Sequence, residues 1–360
     1  WKPVQLPLHD NRDRRSISLD GETYNLYWGD LHVHTGLTPD AEGQVDELMH
    51  FAKDKANLDV VVMQENDAAS WLNSNSQGAF QGQNLAESAY RLSVYYSRKF
   101  AEPGCFIPLP GWEWSDRTDD GRSNHRTVIF AGEETPILRH IENRGNFEEL
   151  CDAVEAAGGV MNTQHPDFQL VDRPVDANIE VVSGWGNFID PPDKIHADLS
   201  NRFKVGFVGT SDGHRRNPGT GGGLTGIYAR ELTPEAIIGA IKQHRVYATN
   251  GNRMLIGARV NGAFMGQDME SAGEVNLSLR VETTKPLVKA TLIRDGDRIY
   301  EVEGNGSMTL STTYSDTPDP GFHWYYWEVQ QEGDWPDYPG NMKVAEGHLA
   351  WSSPHRVMIE

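Results

Sequence analysis

Cysteine is scarce: Cys105 and Cys151 are the only two among 360 residues. That excludes a disulfide framework and a structural zinc ribbon and permits one bridge at most. Long apolar runs are missing too. None approaches the roughly 20 residues that span a bilayer, and the opening WKPVQLPLHD lacks the apolar stretch of a signal peptide. A soluble chain with no membrane partner is expected. Positive charge is in deficit, with 32 Lys and Arg against 52 Asp and Glu and a formal net charge of −20. A polyanion held along a basic face needs clustered cations, so nucleic acid is not an expected partner, although a metal site could still handle one phosphate. No low-complexity tract or repeat of fixed period occurs. The first residue is Trp1 and not an initiator Met, so an upstream segment is expected, and both cytoplasmic and exported locations stay open. Oligomeric state is not legible.

What is present is an ordinary globular composition, 38% hydrophobic, enough for one large domain or two smaller ones. From about Tyr27 to Thr249, strand-like apolar runs alternate with helical patterns, the signature of an α/β arrangement with a parallel sheet. NLYWGDLHVH opens the series, and VDELMHFAKDKANL places Val45, Leu48, Met49 and Ala52 on one helix face before the strand DVVVMQ. NFEELCDAVEAAGG carries Asn146 as an N-cap and Glu149 three residues on, and TPEAIIGAIKQH has Thr233 as N-cap with Pro234 at the first helical position. About seven such units imply a TIM-like barrel over residues 1–250. Beyond Gly251 the period becomes two, in LIGARV, VNLSLRVETT, VKATLIRDGDRIYEVE, SMTLSTTYS and HWYYWEVQ, separated by Gly, Asn and Asp turns. A small β-sandwich domain over 251–360 is expected.

Histidines and acids gather at the ends of the strands: DLHVHT, QEND, PGWEWS, NHR, TQHPD and GTSDGH. In a parallel barrel these ends share one face, so residues distant in sequence converge there. His32 and His34, two apart on a strand, point to the same side and can grip one ion together. Asp212 and His214 repeat that spacing. Either pair alone is a weak signal, since a lone HxH is easily structural and a DxH is commonly an Asx turn. Their conjunction with Glu113, His125 and His165, all beside strand ends, points to a metal centre. Mixed imidazole and carboxylate ligands suit zinc, manganese or iron better than calcium or magnesium, and a glutamate such as Glu113 can bridge two ions. The remaining histidines, among them His50, His140, His196, His244 and His355, are expected to be solvated or structural.

Two ions about 3.5–4 Å apart can acidify a bridging water and stabilise charge on the electrophile, so no Ser/His/Asp arrangement is needed. An acid for the leaving group could be Glu65, Asp67 or His214. Arg126 and Arg215 follow ligand positions directly and could either clamp an anionic substrate oxygen or close salt bridges at the rim. Trp71, Trp112, Trp114 and Trp185 flank the ligands, so an aromatic mouth stands beside a core role for each. An aromatic mouth would suit an anionic small molecule with an aromatic or sugar moiety. PGTGGGLTG, after the last metal pair, reads as a mobile loop or a mere connector.

The segments WGDLHVHT, PGWEWS, NHR, QHPD, VSGWG, GFVGTSDGHR and GGLTGIYARELTPEAIIGAIKQHRVYATNG resemble the polymerase and histidinol phosphatase (PHP) family, in its branch with a β-rich tail. The resemblance covers nearly the whole chain. It implies a distorted (β/α)7 barrel with a two- or three-metal site and, for most members, phosphoesterase activity. By the same resemblance His32, His34, Glu113 and Asp212 would hold one ion, while Glu113, His125 and His165 hold a second across the Glu113 bridge. Two departures stand out. Where the family's second motif ends in a metal-binding histidine, this chain has Gln64, Glu65 and Asn66, and the first motif's acid is displaced to Asp40. A third ion would fall to His214 and Asp40 with Glu65 or Asp67, an oxygen-rich set, and Asn66 could instead bind substrate. The expected function is hydrolysis of a phosphomonoester or phosphodiester. The alternatives are metal-dependent action on another bond (a carbohydrate-active lyase, a sulfate ester or amide hydrolase) and a non-catalytic binding protein.

Overall fold

The computed structural model describes residues 14–38, 40–67, 87–115, 124–132, 135–139, 146–164, 169–190, 193–333 and 347–360. His165 and Trp71, expected near the metal site, lie outside them, as does His140. Strands β1 (Ser16–Leu19) and β2 (Glu22–Val33) form an antiparallel hairpin. Its two-residue turn, Asp20 at φ +52° and Gly21 at φ +81°, is the Asp-Gly pair that matches the right-handed twist of the flanking strands. From β2 the sheet runs through β3 (Val60–Asn66), β4 (Ile107–Trp114), β5 (Arg126–Ile129), β6 (Val160–Thr163), β7 (Asp176–Ser183) with the short β8 (Gly186–Asn187), and β9 (Gly206–Gly209). On its other side β2 pairs antiparallel with β10 (Leu224–Ala229), which pairs with β11 (Val246–Thr249).

Helices fill the connections where their local signals require. Helix α1 (Val45–His50) opens on a capping box between Gln44 and Glu47 and runs on into the wider turn Phe51–Lys55. Helix α2 is Glu87–Phe100. In α3 (Phe147–Ala156) the Asn146 side chain accepts the Glu149 amide, and after α4 (Asp193–Ser200) the Thr233 hydroxyl caps α5 (Pro234–Lys242) by accepting from Ala236. No helix among the described residues is long and apolar enough to cross a membrane.

The sheet is mixed and not wholly parallel: β5 lies antiparallel between β4 and β6. Nor do the ladders close a TIM-like barrel, because no ladder among the described residues joins β9 to β10 or β11. At that seam the backbones approach without room for side chains. A Cβ on Gly209 would sit 2.6 Å from the Thr249 carbonyl oxygen.

Beyond Gly251 every element among the described residues is a strand. One antiparallel sheet comprises β12 (Leu255–Val260), β13 (Ala263–Phe264), β15 (Val275–Glu282) and β18 (Thr309–Asp316). Opposite it stand β14 (Asp268–Ser271), β16 (Leu287–Arg294), β17 (Asp297–Glu303), β19 (Gly321–Gln331), β20 (His348–Ser352) and β21 (His355–Ile359). Val275, Leu277, Leu279 and Val281 alternate inward along β15 and share a buried cluster with Leu292, Tyr325 and Trp327 from the second sheet. Trp28, Met49 and Tyr247 belong to the same cluster, and β20 pairs with β11. The core and the hydrogen bonding are therefore continuous across Gly251.

Candidate metal centre

The centre begins at the C-terminal end of β2. Asp30, His32 and His34 alternate toward one side of the strand, and all three are buried. The imidazoles meet, with His32 Nε2 and His34 Nε2 3.0 Å apart. Each ring is fixed through its other nitrogen. Nδ1 of His32 lies 3.1 Å from Glu180 Oε2, and Nδ1 of His34 lies 3.4 Å from Thr38 Oγ1. The Thr38 hydroxyl donates its own proton to Glu65 Oε2 at 2.6 Å, so it can only accept from the ring. With both Nδ1 positions donating, both Nε2 atoms are left to face one place, either as protonated donors to the carboxylates there or, with those protons released, as two lone pairs on one cation. That is an arrangement for a shared cation.

Two carboxylates face the same place. Asp212 Oδ1 lies 3.3 Å from His32 Nε2 and 3.2 Å from His34 Nε2. His32, His34 and Asp212 present ligand atoms that all lie within 4.8 Å of one another. Glu113 on β4 reaches in from the next strand but one. Its Oε2 is 3.2 Å from His34 Nε2 and 3.7 Å from His32 Nε2, while its Oε1 is 2.5 Å from His125 Nδ1. One oxygen thus serves the first set and the other faces a second, the disposition of a bridging carboxylate.

The charges are strongly perturbed. Burial by itself would lower both imidazoles, but the charge of Asp212, with Glu113 and Glu180, holds His32 well above its ordinary range. Hydrogen bonds to Asp212 and Glu113 likewise push His34 up to about 9 against its burial. Asp212 and Glu113 are held below the usual carboxylate range: burial acts the other way but is overcome by the charge of His32 for Asp212 and by the hydrogen bonds of His125, His32 and His34 for Glu113. A buried cluster that keeps its acids ionised demands a compensating positive charge, from protons or from a divalent ion.

The other expected site residues are placed as follows. Glu65 is buried with both oxygens engaged, Oε1 by Thr35 Oγ1 at 2.6 Å and Oε2 by Thr38, and burial raises it. Asp67 is also buried, and its Oδ1 accepts the Ser115 amide at 2.8 Å. His214 donates from Nδ1 to the Asp212 carbonyl at 2.9 Å, and its Nε2 stands 3.8 Å from Asp40 Oδ1. Asn66 Nδ2 donates to Glu113 Oε2 at 3.3 Å, so the amide steadies the bridging carboxylate.

Arg126 is not at the centre. It is buried against Asp176, with Nε to Oδ1 at 2.9 Å and Nη2 to Oδ2 at 3.1 Å, and it also donates to the His125 and Gln169 carbonyls. Adjacent strand residues point to opposite faces, so His125 turns to the metal side and Arg126 to the core. The same parity removes Trp112 and Trp114 from the mouth: they flank Glu113 on β4 and pack with Tyr90, Phe130 and Phe147. Arg215 stays half-exposed at the rim, bonded to the Asp40 carbonyl at 3.2 Å. Trp185 is exposed there as well, and its indole N–H donates to the Asp212 carbonyl at 3.1 Å. The glycines of PGTGGGLTG are closely packed: Gly221, Gly222 and Gly223 are buried, and a Cβ on Gly222 would meet the Gly184 nitrogen at 2.4 Å. Cys105 and Cys151 form no disulfide.

Three supporting residues escape the sequence reading. Glu180 was signalled only as a lone acid inside the apolar strand IEVVS, and Thr38 by nothing local. Asp30 is buried and pushed up to about 6 by desolvation, although it accepts from the Ser211 and Gly219 amides at 2.9 and 2.7 Å. Its spacing two residues before His32 places it on the same side, where it ties β2 to the segment bearing Asp212.

Among known proteins, residues 46–157 and 216–280 match a family described as a protein of unknown function (DUF3604). Similar chains include uncharacterized proteins of Chlamydia trachomatis, 21% identical over 396 residues, and Chlamydia muridarum, 24% identical over 394 residues. Each alignment covers 92% of this chain, which spans 57% of the length of each relative. A solved structure from Bacteroides vulgatus, described as a two-domain protein containing a predicted PHP-like metal-dependent phosphoesterase, aligns with TM-score 0.49 and 15% identity, covering 95% of this chain and 98% of that one.

Proposed function

We propose that the chain is a metal-dependent hydrolase of phosphate esters, with His32, His34, Glu113 and Asp212 holding one divalent ion and Glu113 with His125 holding a second, to which the family resemblance adds His165. The observation that carries this is the convergence of two Nε2 lone pairs, 3.0 Å apart, on the carboxylates of Asp212 and Glu113. Divalent ions of the zinc, manganese or iron kind would supply an acidified water and draw charge from the ester oxygens.

The chain's own residues set the rest. Glu180 and Thr38 hold the two imidazoles in the tautomer that leaves Nε2 bare. Arg215 offers an exposed guanidinium at the rim for an anionic substrate oxygen. Of the three acids considered for the leaving group, Glu65 is engaged by Thr35 and Thr38 and Asp67 by Ser115. His214 keeps the role, its Nδ1 donating to the Asp212 carbonyl and the transferable proton sitting on Nε2, 3.8 Å from Asp40 Oδ1; burial lowers the ring, so that proton is readily given up. The same engagements leave a third ion only His214 and Asp40, which favours two ions over three.

A second reading, cleavage of another bond type such as a sulfate ester, an amide or a glycosidic linkage, is favoured by Asn66, whose amide supports Glu113 where the family carries a ligand. A panel of phosphomonoesters and phosphodiesters, assayed with added manganese or zinc, separates the two. We expect turnover of at least one phosphate ester and its loss in Asp212→Ala. If wild type and Asp212→Ala process every ester equally poorly, the phosphoesterase reading fails.

A further inference from the structure

Among the described residues, one tryptophan at the rim of the centre is left partly uncovered. Trp28, Trp112, Trp114, Trp324, Trp327 and Trp351 are buried, whereas Trp185 is 42% exposed. It is also rigid. Its amide donates to Ser183 Oγ at 3.1 Å, its indole N–H to the Asp212 carbonyl at 3.1 Å, and its ring meets His214 edge-on at 5.4 Å and 88°. The preceding Gly184 is locked as well: a Cβ there would meet the Gly221 oxygen at 2.4 Å. An exposed indole held this firmly beside a metal ligand presents a flat apolar face with little ordering left to lose on binding.

We infer that Trp185 is the substrate platform, so that the oxyanion ester cleaved at this centre carries a flat ring, aromatic or sugar, beside the ester group. The inference rests on the hydrolase reading above. A purely structural role needs only the indole N–H on the Asp212 carbonyl, and it would leave the exposed ring face without a task. Because the indole meets His214 edge-on at 5.4 Å and bonds to the Asp212 carbonyl, a ring stacked on its exposed part lies beside the residues of the candidate centre.

The test is calorimetric binding of two unreactive probes, phenylphosphonate and methylphosphonate, to the metal-loaded protein. Wild type should bind the phenyl probe about tenfold more tightly than the methyl probe. Trp185→Ala should bring that ratio to about one at unchanged metal content, and Trp185→Phe, which keeps a ring and loses the N–H, should retain most of it. A ratio near one in wild type overturns the inference, as does Trp185→Phe behaving like Trp185→Ala, or loss of metal in either variant. Failure of wild type to bind either probe overturns the hydrolase reading itself and the inference with it, an outcome distinct from loss of discrimination.

Discussion

Glu180→Gln separates charge from shape at the support of His32. Glu180 Oε2 accepts from Thr210 Oγ1 at 2.6 Å and sits 3.1 Å from His32 Nδ1, while Oε1 is buried with no hydrogen-bond partner among the described residues. In the glutamine variant the amide oxygen can occupy the Oε2 position and keep both contacts, so the ring stays oriented. What is lost is the negative charge that makes the imidazole a stronger donor to a metal. Loss of a carboxylate behind a metal-binding histidine lowers affinity about 10–100-fold, or about 1.4–2.7 kcal/mol. The new amide NH2 falls at the partnerless Oε1 position and should destabilise the fold by about 1–3 kcal/mol. Zinc affinity measured by competition with a chromophoric chelator, beside a thermal melt, reads the two effects separately. A folded Glu180→Gln protein that binds zinc as tightly as wild type would refute the reasoning, because Glu180 would then be a bystander.

Asp176→Ala should destabilise the protein by about 3–5 kcal/mol in urea unfolding, because it strands the fully buried guanidinium of Arg126. His355 is buried with both ring nitrogens lacking a partner among the described residues, and desolvation lowers it from 6.5 to about 3. The unfolded chain therefore binds the extra proton between those values. The contribution is fully present above about pH 6.5 and falls by about 1.4 kcal/mol per unit as the pH drops toward 3. His355→Leu should flatten the pH dependence of unfolding in that window by about one proton, and an unchanged slope would count against it. His244, lowered to about 4 by its own burial, leaves a residual slope in the variant. Gly222→Ala should cost about 1–3 kcal/mol by overpacking against Gly184, read as a lowered midpoint in thermal denaturation.

Much of the centre was legible because strands impose a period of two. The spacing of His32 and His34 dictates a shared side, and placement at strand ends brings Glu113, His125 and Asp212 to them. The same period, applied one residue further, would have turned Trp112, Trp114 and Arg126 away from the site. Caps such as Asn146 and Thr233 are decided within four residues and were equally readable. Strand direction was not: nothing in RTVI says that β5 runs antiparallel. The glycines at 221–223 resemble a linker until the backbone of residues 182–184 is laid against them. Glu65 illustrates the limit most clearly, since its two hydroxyl partners lie 30 and 27 residues away, and their capture of a would-be ligand depends on the loop between β2 and α1.

On the function proposed above, the two imidazoles and two carboxylates hold a metal ion. Diffraction from crystals of protein soaked with zinc or manganese, recorded at the metal's absorption edge, tests it most directly. An anomalous peak about 2.0–2.2 Å from the Nε2 atoms of both His32 and His34 and from an Asp212 oxygen, with a second across Glu113 toward His125, is the predicted result. Fully occupied metal elsewhere on the protein, with both Nε2 atoms still 3.0 Å apart and no peak between them and Asp212, would contradict it.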